Sequence, residues 1–231
     1  MFRTRLQVRL CGGVVATAML LFLALTLLAA SADAQVPTEG CPPMPSSTAA
    51  EGTQPTTLPS TGSLSPAPEQ IVACVGTQPI TGATFAHWAD VARRSAGKHP
   101  PSAEVTNEAM GFLVSSDWVL GEAADLNIDI PEAKVRHTFD HIRDVQFPKR
   151  REFKVFLRKS GQNVADLLFR VRLNLLSTGI QRHVLAGRRG AKSRQRALGS
   201  FVQEFKLKWT AQTYCEPGYA ISDCGHVQAG L

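Results

Sequence analysis

No P-loop, no G-x-S-x-G elbow and no H-E-x-x-H pair occurs in the sequence. The Gly-rich phosphate cradle, the nucleophile turn and the two-histidine zinc helix are therefore all missing. No C-x-x-C pair occurs either, and the histidines are scattered, which argues against structural zinc. Only one stretch, Val14 to Ala30, is apolar enough to enter a bilayer, which excludes a multi-span membrane protein. Acidic residues are scarce in one region: residues 131–209 hold 6 Asp+Glu against 19 Lys+Arg, a local +13 in a chain of net +6. What is present suffices for a core. The chain has 231 residues, 44% of them hydrophobic, enough for one ordinary domain or two small ones and too many for global disorder.

The N-terminus reads as an export signal over 1–34. Arg3, Arg5 and Arg9 form a positive start before the apolar run, and Ala32-Asp33-Ala34 supplies a small-x-small cleavage pattern. The alternative is an uncleaved anchor, because 17 residues lie at the lower edge of a bilayer span. Either reading places the body outside the cytoplasm, secreted or tethered. Cys11 leaves with the signal, so Cys41, Cys74, Cys215 and Cys224 remain, and four cysteines allow three pairings. The short separation of Cys215 and Cys224 favours a closed terminal loop within a 215–231 tail, which leaves Cys41 with Cys74.

Residues 35–70 read as a disordered linker. Positions 36–69 carry 8 Pro and 11 Ser+Thr with almost no large apolar side chain, too little burial to offset ordering entropy. Ile71–Val75 reads as a short strand and Gly76-Thr77-Gln78-Pro79 as a turn. Thr81 then caps a helix through Phe85, Trp88, Val91 and Ala92, ended by Gly97 and Pro100-Pro101. A second helix spans about 103–126, with Met110, Leu113, Val114, Trp118 and Gly121 on one stripe; Asn127 supplies its left-handed cap. A third opens at Pro131-Glu132 and stops at Pro148. A short fourth carries Phe153, Phe156 and Leu157 as far as Gly161. A fifth runs from Asn163 past Val184, and a last one carries Leu198 to Trp209. The fold expected is mostly α with one short N-terminal strand.

Two patterns imitate metal sites. His137 and His141 share a helix face at i, i+4, yet no third ligand stands nearby, and a solvated basic face explains them. Asp125, Asn127 and Asp129 imitate a calcium loop that fails at Ile130, where Gly is needed, and at Arg136, where Glu should close it. No cofactor and no metal is expected, and nothing reads as catalytic.

Val75-Gly76 through Ile80-Thr81 and Phe85, the Met110 to Ala124 helix with Trp118 and Glu122-Ala123, Phe147-Pro148, Phe153 through Gly161, and Val164 to Leu176 together resemble the SurA N-terminal-like domain. That domain belongs to extracytoplasmic folding factors of the SurA and PrsA type, and the resemblance covers most of 71–187. Phe201 to Trp209, followed by Cys215, Gly218-Tyr219 and Cys224, resembles the C-terminal segment that completes such domains. The resemblance implies a multi-helix chaperone module completed by its C-terminal helix, here after a basic connection within 188–214. Relatives carry a parvulin prolyl isomerase between the long helix and that last helix. About fifteen residues separate Val184 from Ser200, where a domain needs at least ~50. The parvulin cannot fit, and an isomerase activity is not expected.

The leading expectation is an ATP-independent holdase for unfolded exported polypeptides, with adaptable apolar surface and a charged rim. Arg143, Lys149, Arg150, Arg151, Arg158, Lys159, Arg188 and Arg189 are its candidate rim, each alternatively a solvated helix residue. The competing expectation uses the same charge, with Arg188, Arg189, Lys192, Arg194 and Arg196 as a dense cluster, to bind an anionic envelope polymer or lipid surface. Nucleic acid is not an expected partner, because export removes it. A degenerate, inactive module is the bland alternative to both.

Overall fold

A computed structural model describes Cys41, residues 64–97, 99–228 and Leu231. The chain divides into Met1–Thr38 and Glu39–Leu231. The first unit, and with it the signal or anchor, lies outside the described residues, as does most of the linker.

The second unit is mostly α. Its elements run β1 (Ile71–Val75), β2 (Gln78–Thr81), α1 (Gly82–Ala96), α2 (Ser102–Asp125), α3 (Glu132–Gln146), α4 (Arg150–Ser160), α5 (Val164–Leu185), α6 (Ala191–Thr210), β3 (Thr213–Cys215) and β4 (His226–Val227). All six expected helices form where local signals place them. Thr81 accepts from the Thr84 N–H at 3.3 Å, Asn127 takes φ 52°, and Gly161 ends α4 in the left-handed region. At α5 the cap is reciprocal: the Asp166 N–H donates to Asn163 Oδ1 at 3.0 Å and the Asn163 N–H to Asp166 Oδ2 at 2.7 Å. His87 Nε2 on α1 lies 2.9 Å from Asp166 Oδ1, so the start of α5 is also fastened to α1.

The single strand is a correction. Four strands form a sheet of order β2-β1-β3-β4, with β1 antiparallel to β2 and β3, and β3 parallel to β4. The turn is only Gly76-Thr77; Gln78 and Pro79 already belong to β2, where an edge strand tolerates a residue without an N–H. The 215–231 tail is built into the sheet through β3 and β4. Backbone hydrogen bonds also reach residues before Ile71. Gly82 and Ala83 donate to the carbonyls of Gln70 at 2.6 Å and Pro68 at 3.0 Å, and a side chain at Gly82 would strike the Ala67 carbonyl.

One apolar cluster joins Val72, Ala73 and Val75 to Phe85 and Trp88 of α1, Met110, Val114 and Trp118 of α2, and Trp209, Cys215 and Tyr219. A second joins Ala123, Ile130, Val135, Leu176 and Ile180, where α2, α3 and α5 meet. The end of α6 is locked onto α2. The Trp209 ring lies where Gly121 has no side chain, and its indole N–H donates to the buried Glu122 at 2.8 Å. Lys208 donates to Glu122 and Asp125, both at 2.7 Å. The Trp118 indole N–H donates to Thr213 at 2.8 Å, and the Thr213 hydroxyl donates to the Trp209 carbonyl at 2.7 Å.

Two disulfides close the fold, Cys215–Cys224 and Cys41–Cys74. In the antiparallel β1–β3 pair Cys74 faces Tyr214 and Ala73 faces Cys215, and opposed residues share a sheet face. Cys215 belongs to the first apolar cluster, so its bond lies on the core side. Cys74 points to the other face, which the bond to Cys41 covers. Two disulfides fit an extracytoplasmic protein. Among the described residues no helix is long and apolar enough to cross a membrane.

Candidate functional site

The candidate rim residues fall on two surfaces. The first is α4 with the end of α3. Phe153, Phe156 and Leu157 recur on one face of α4 and Arg150, Arg151, Lys154 and Arg158 on the others, an amphipathic helix. Yet none of its residues is buried: the apolar face is only half-covered. Its aromatic rings continue a chain that starts in the core. Phe139 of α3 lies 6.2 Å from Phe153, Phe153 lies 5.4 Å from Phe147, and Phe147 lies 5.1 Å from Phe156. Val145 on α3 is 66% exposed. A groove of about 510 Å³ at the start of α4 is lined by Lys149, Arg151, Glu152, Val155 and Phe156.

The cations around this patch are not equivalent. Arg143 is the most heavily paired of the candidate rim residues. It pairs with Asp140 at 2.7 Å and Asp144 at 2.8 Å and lies over the Phe139 ring, and the hydrogen bond to Asp144 is the main reason its guanidinium is held above its ordinary value. Lys149 lies 3.8 Å from Glu152. Arg150, Arg151, Arg158 and Lys159 are exposed and have no ion pair among the described residues.

The second surface is the α5–α6 hairpin. Arg188 and Arg189 stand in its turn, exposed and without an ion pair among the described residues. Arg188 lines a groove of about 770 Å³ together with His183, Val184, Arg196, Phe201 and the acid Glu204. Sequence reasoning singled out the arginines and missed the groove, which forms only when α5 and α6 pack antiparallel. The available signal was the run without any acid between Asp166 and Glu204.

Other polar features are structural. Asp125 holds Lys208 and Asn127 takes the left-handed cap, which accounts for two of the three residues that imitate a calcium loop. His137 and His141 are exposed on α3, and among the described residues no cluster of three or more His, Cys, Asp or Glu is placed to hold a metal. Arg170 of α5 lies over Phe112 at 4.4 Å and Trp88 at 4.9 Å. Burial pulls its guanidinium below the ordinary value, opposed by Asp166 and Glu108.

Asp117 stands apart. Half-buried on α2, it has no hydrogen bond or ion pair among the described residues, and desolvation pushes its carboxyl up from 3.8 to about 6. The folded pKa lies above the unfolded one, so the native state binds this proton more tightly. That stabilisation is complete below about pH 4 and is lost as pH rises through about 6. Asp117→Asn is therefore expected to raise the unfolding free energy by about 2–3 kcal/mol at pH 7.5 and to leave it nearly unchanged at pH 4. Urea titrations at both values check this; an equal gain at both would mean that Asp117 is not the titrating group.

No family model, no curated protein and no solved structure matches the chain.

Proposed function

We propose that this protein is an ATP-independent extracytoplasmic holdase, secreted or held at a membrane by its N-terminal run, that captures unfolded exported polypeptides on the α3–α4 aromatic patch. One observation carries the reading: α4 has an apolar face of Phe153, Phe156 and Leu157 and buries no residue completely. A helix whose only structural task was to cover a core would sink that face. The linked phenylalanine rings offer adaptable apolar contact, and the exposed cations Arg150, Arg151, Arg158 and Lys159 keep copies apart by like-charge repulsion. The resemblance of 71–187 to the SurA N-terminal-like domain supports the same reading. Without room for a parvulin domain, the activity is capture and not isomerisation.

The test is light scattering from a client diluted out of denaturant, with and without the full chain, at low and high salt. Suppression of aggregation is expected at both salts, because the capture is apolar. Phe156→Glu is expected to abolish most of it while leaving the thermal midpoint within a few degrees, since Phe156 is not fully buried. Suppression that vanishes at high salt would sink apolar capture, and so would a Phe156→Glu variant that folds and protects as well as the parent.

A further inference from the structure

Arg182, Arg188, Arg189, Lys192, Arg194 and Arg196 fall in the stretch between Asp166 and Glu204 that contains no acidic residue. All six are exposed, and none has an ion pair among the described residues. The start of α6 adds to this field. Gly190 has no side chain to cap the helix and no acid stands in its first turn, so neither offsets the helix's positive end. Like charges gathered on one hairpin repel one another, and an anionic partner relieves that repulsion.

The groove between the helices narrows the choice of partner. Its volume of about 770 Å³ has a half-buried, partly apolar floor from Val184, Ala197 and Phe201, under a rim where Arg188, Arg196 and His183 outnumber the one acid, Glu204. Ions alone do not match such a site: a phosphate polymer satisfies the rim and leaves the floor against water. A flat bilayer meets the rim and cannot reach into the concavity. An extended polypeptide that carries an apolar side chain between acidic ones satisfies both, with carboxylates on the arginines and the apolar group on Phe201.

We infer that the α5–α6 groove binds an acidic, apolar-containing extended segment of a partner polypeptide. The choice of a polypeptide rests on the holdase reading, and the inference deepens that reading by giving the protein a preference for acidic segments. The site stands on other helices than the α3–α4 patch, so the two are separable by mutation.

The experiment is fluorescence anisotropy of short labelled peptides titrated with the full chain. One peptide alternates Asp and Glu with Leu and Phe, a second replaces its acids by Lys, and a third replaces its apolar residues by Ser. Inorganic polyphosphate and phosphatidylglycerol vesicles are the remaining probes. Tight binding is expected for the first peptide alone. Arg188→Glu with Arg196→Glu should weaken it at least ~10-fold, whereas Lys134→Glu with Arg136→Glu, two exposed cations of α3 outside both surfaces, should leave it unchanged. Binding of the third peptide or of polyphosphate as tight as the first would overturn the inference in favour of a generic polyanion patch. Vesicle binding lost in the Arg188/Arg196 variant, without peptide binding by the parent, would overturn it in favour of a membrane surface. Peptide binding that survives the two reversals would place the site elsewhere. If the parent protects clients in the scattering assay and yet binds no peptide, this inference fails alone; if both fail, the holdase reading falls with it.

Discussion

Truncating Trp209 to alanine is expected to lower the unfolding free energy by about 3–5 kcal/mol, the cost of emptying a large buried aromatic site. The size follows from what the ring does. It fills the space left by Gly121 on α2, and its N–H meets a Glu122 carboxylate that is itself buried. Loss of the indole leaves a cavity against α2 and removes one of the donors to a carboxylate that has little access to water, and both effects act in the same direction. Gly121→Ala should show the complementary fault. A methyl group there would occupy the space of the Trp209 ring, and overpacking of this kind costs about 1–3 kcal/mol. Denaturant titration of both variants checks the lock. If Trp209→Ala cost less than about 1 kcal/mol, where buried aromatic truncations cost 3–5, α6 would not be fastened to α2 as the structure has it.

The second large effect is expected from removal of the Cys41–Cys74 bond. The two cysteines are 33 residues apart, and in the chain-entropy model closing a loop of that length stabilises by about 3–4 kcal/mol. The shorter Cys215–Cys224 loop, with a separation of 9, is worth about 2–3 kcal/mol in the same model. Cys41→Ser with Cys74→Ala removes the first bond without leaving a thiol to mispair, and the alanine fits a position that is wholly buried. Under non-reducing conditions this variant should lose more stability than Cys215→Ala with Cys224→Ser. A reversed order would show that local packing around the terminal loop outweighs loop length.

The helices were legible because their signals are local. Thr81, Asn127, Gly161 and Asn163 each act on backbone groups within about four residues, so the chain states its helix ends wherever it is read. The apolar stripe on α2 was legible for the same reason, and so was the place of Gly121 on it. What Gly121 is for was not. Its partner Trp209 lies 88 positions away, and no periodicity couples the two. The sheet was missed on similar grounds: β3 has three residues and β4 two, too short for an alternating pattern, and each exists only because β1 or β3 is beside it.

Charge was legible as a sum and illegible as a surface. The +13 over 131–209 is a property of composition. Which cations are available to a partner depends on which carboxylates packing brings near them. Arg143 is paired with Asp140 and Asp144 of its own helix, while Arg188 and Arg189 sit in a turn where the chain has no acid to offer. By itself, then, the sequence determined six helices, their caps and a basic third of the chain, all set by neighbours along the chain. Tertiary structure alone decided the four-stranded sheet, the sheet face each disulfide covers, the half-open aromatic face of α4 and the groove at the hairpin. Each of these depends on contacts between residues far apart in sequence, and only chain closure brings such residues together.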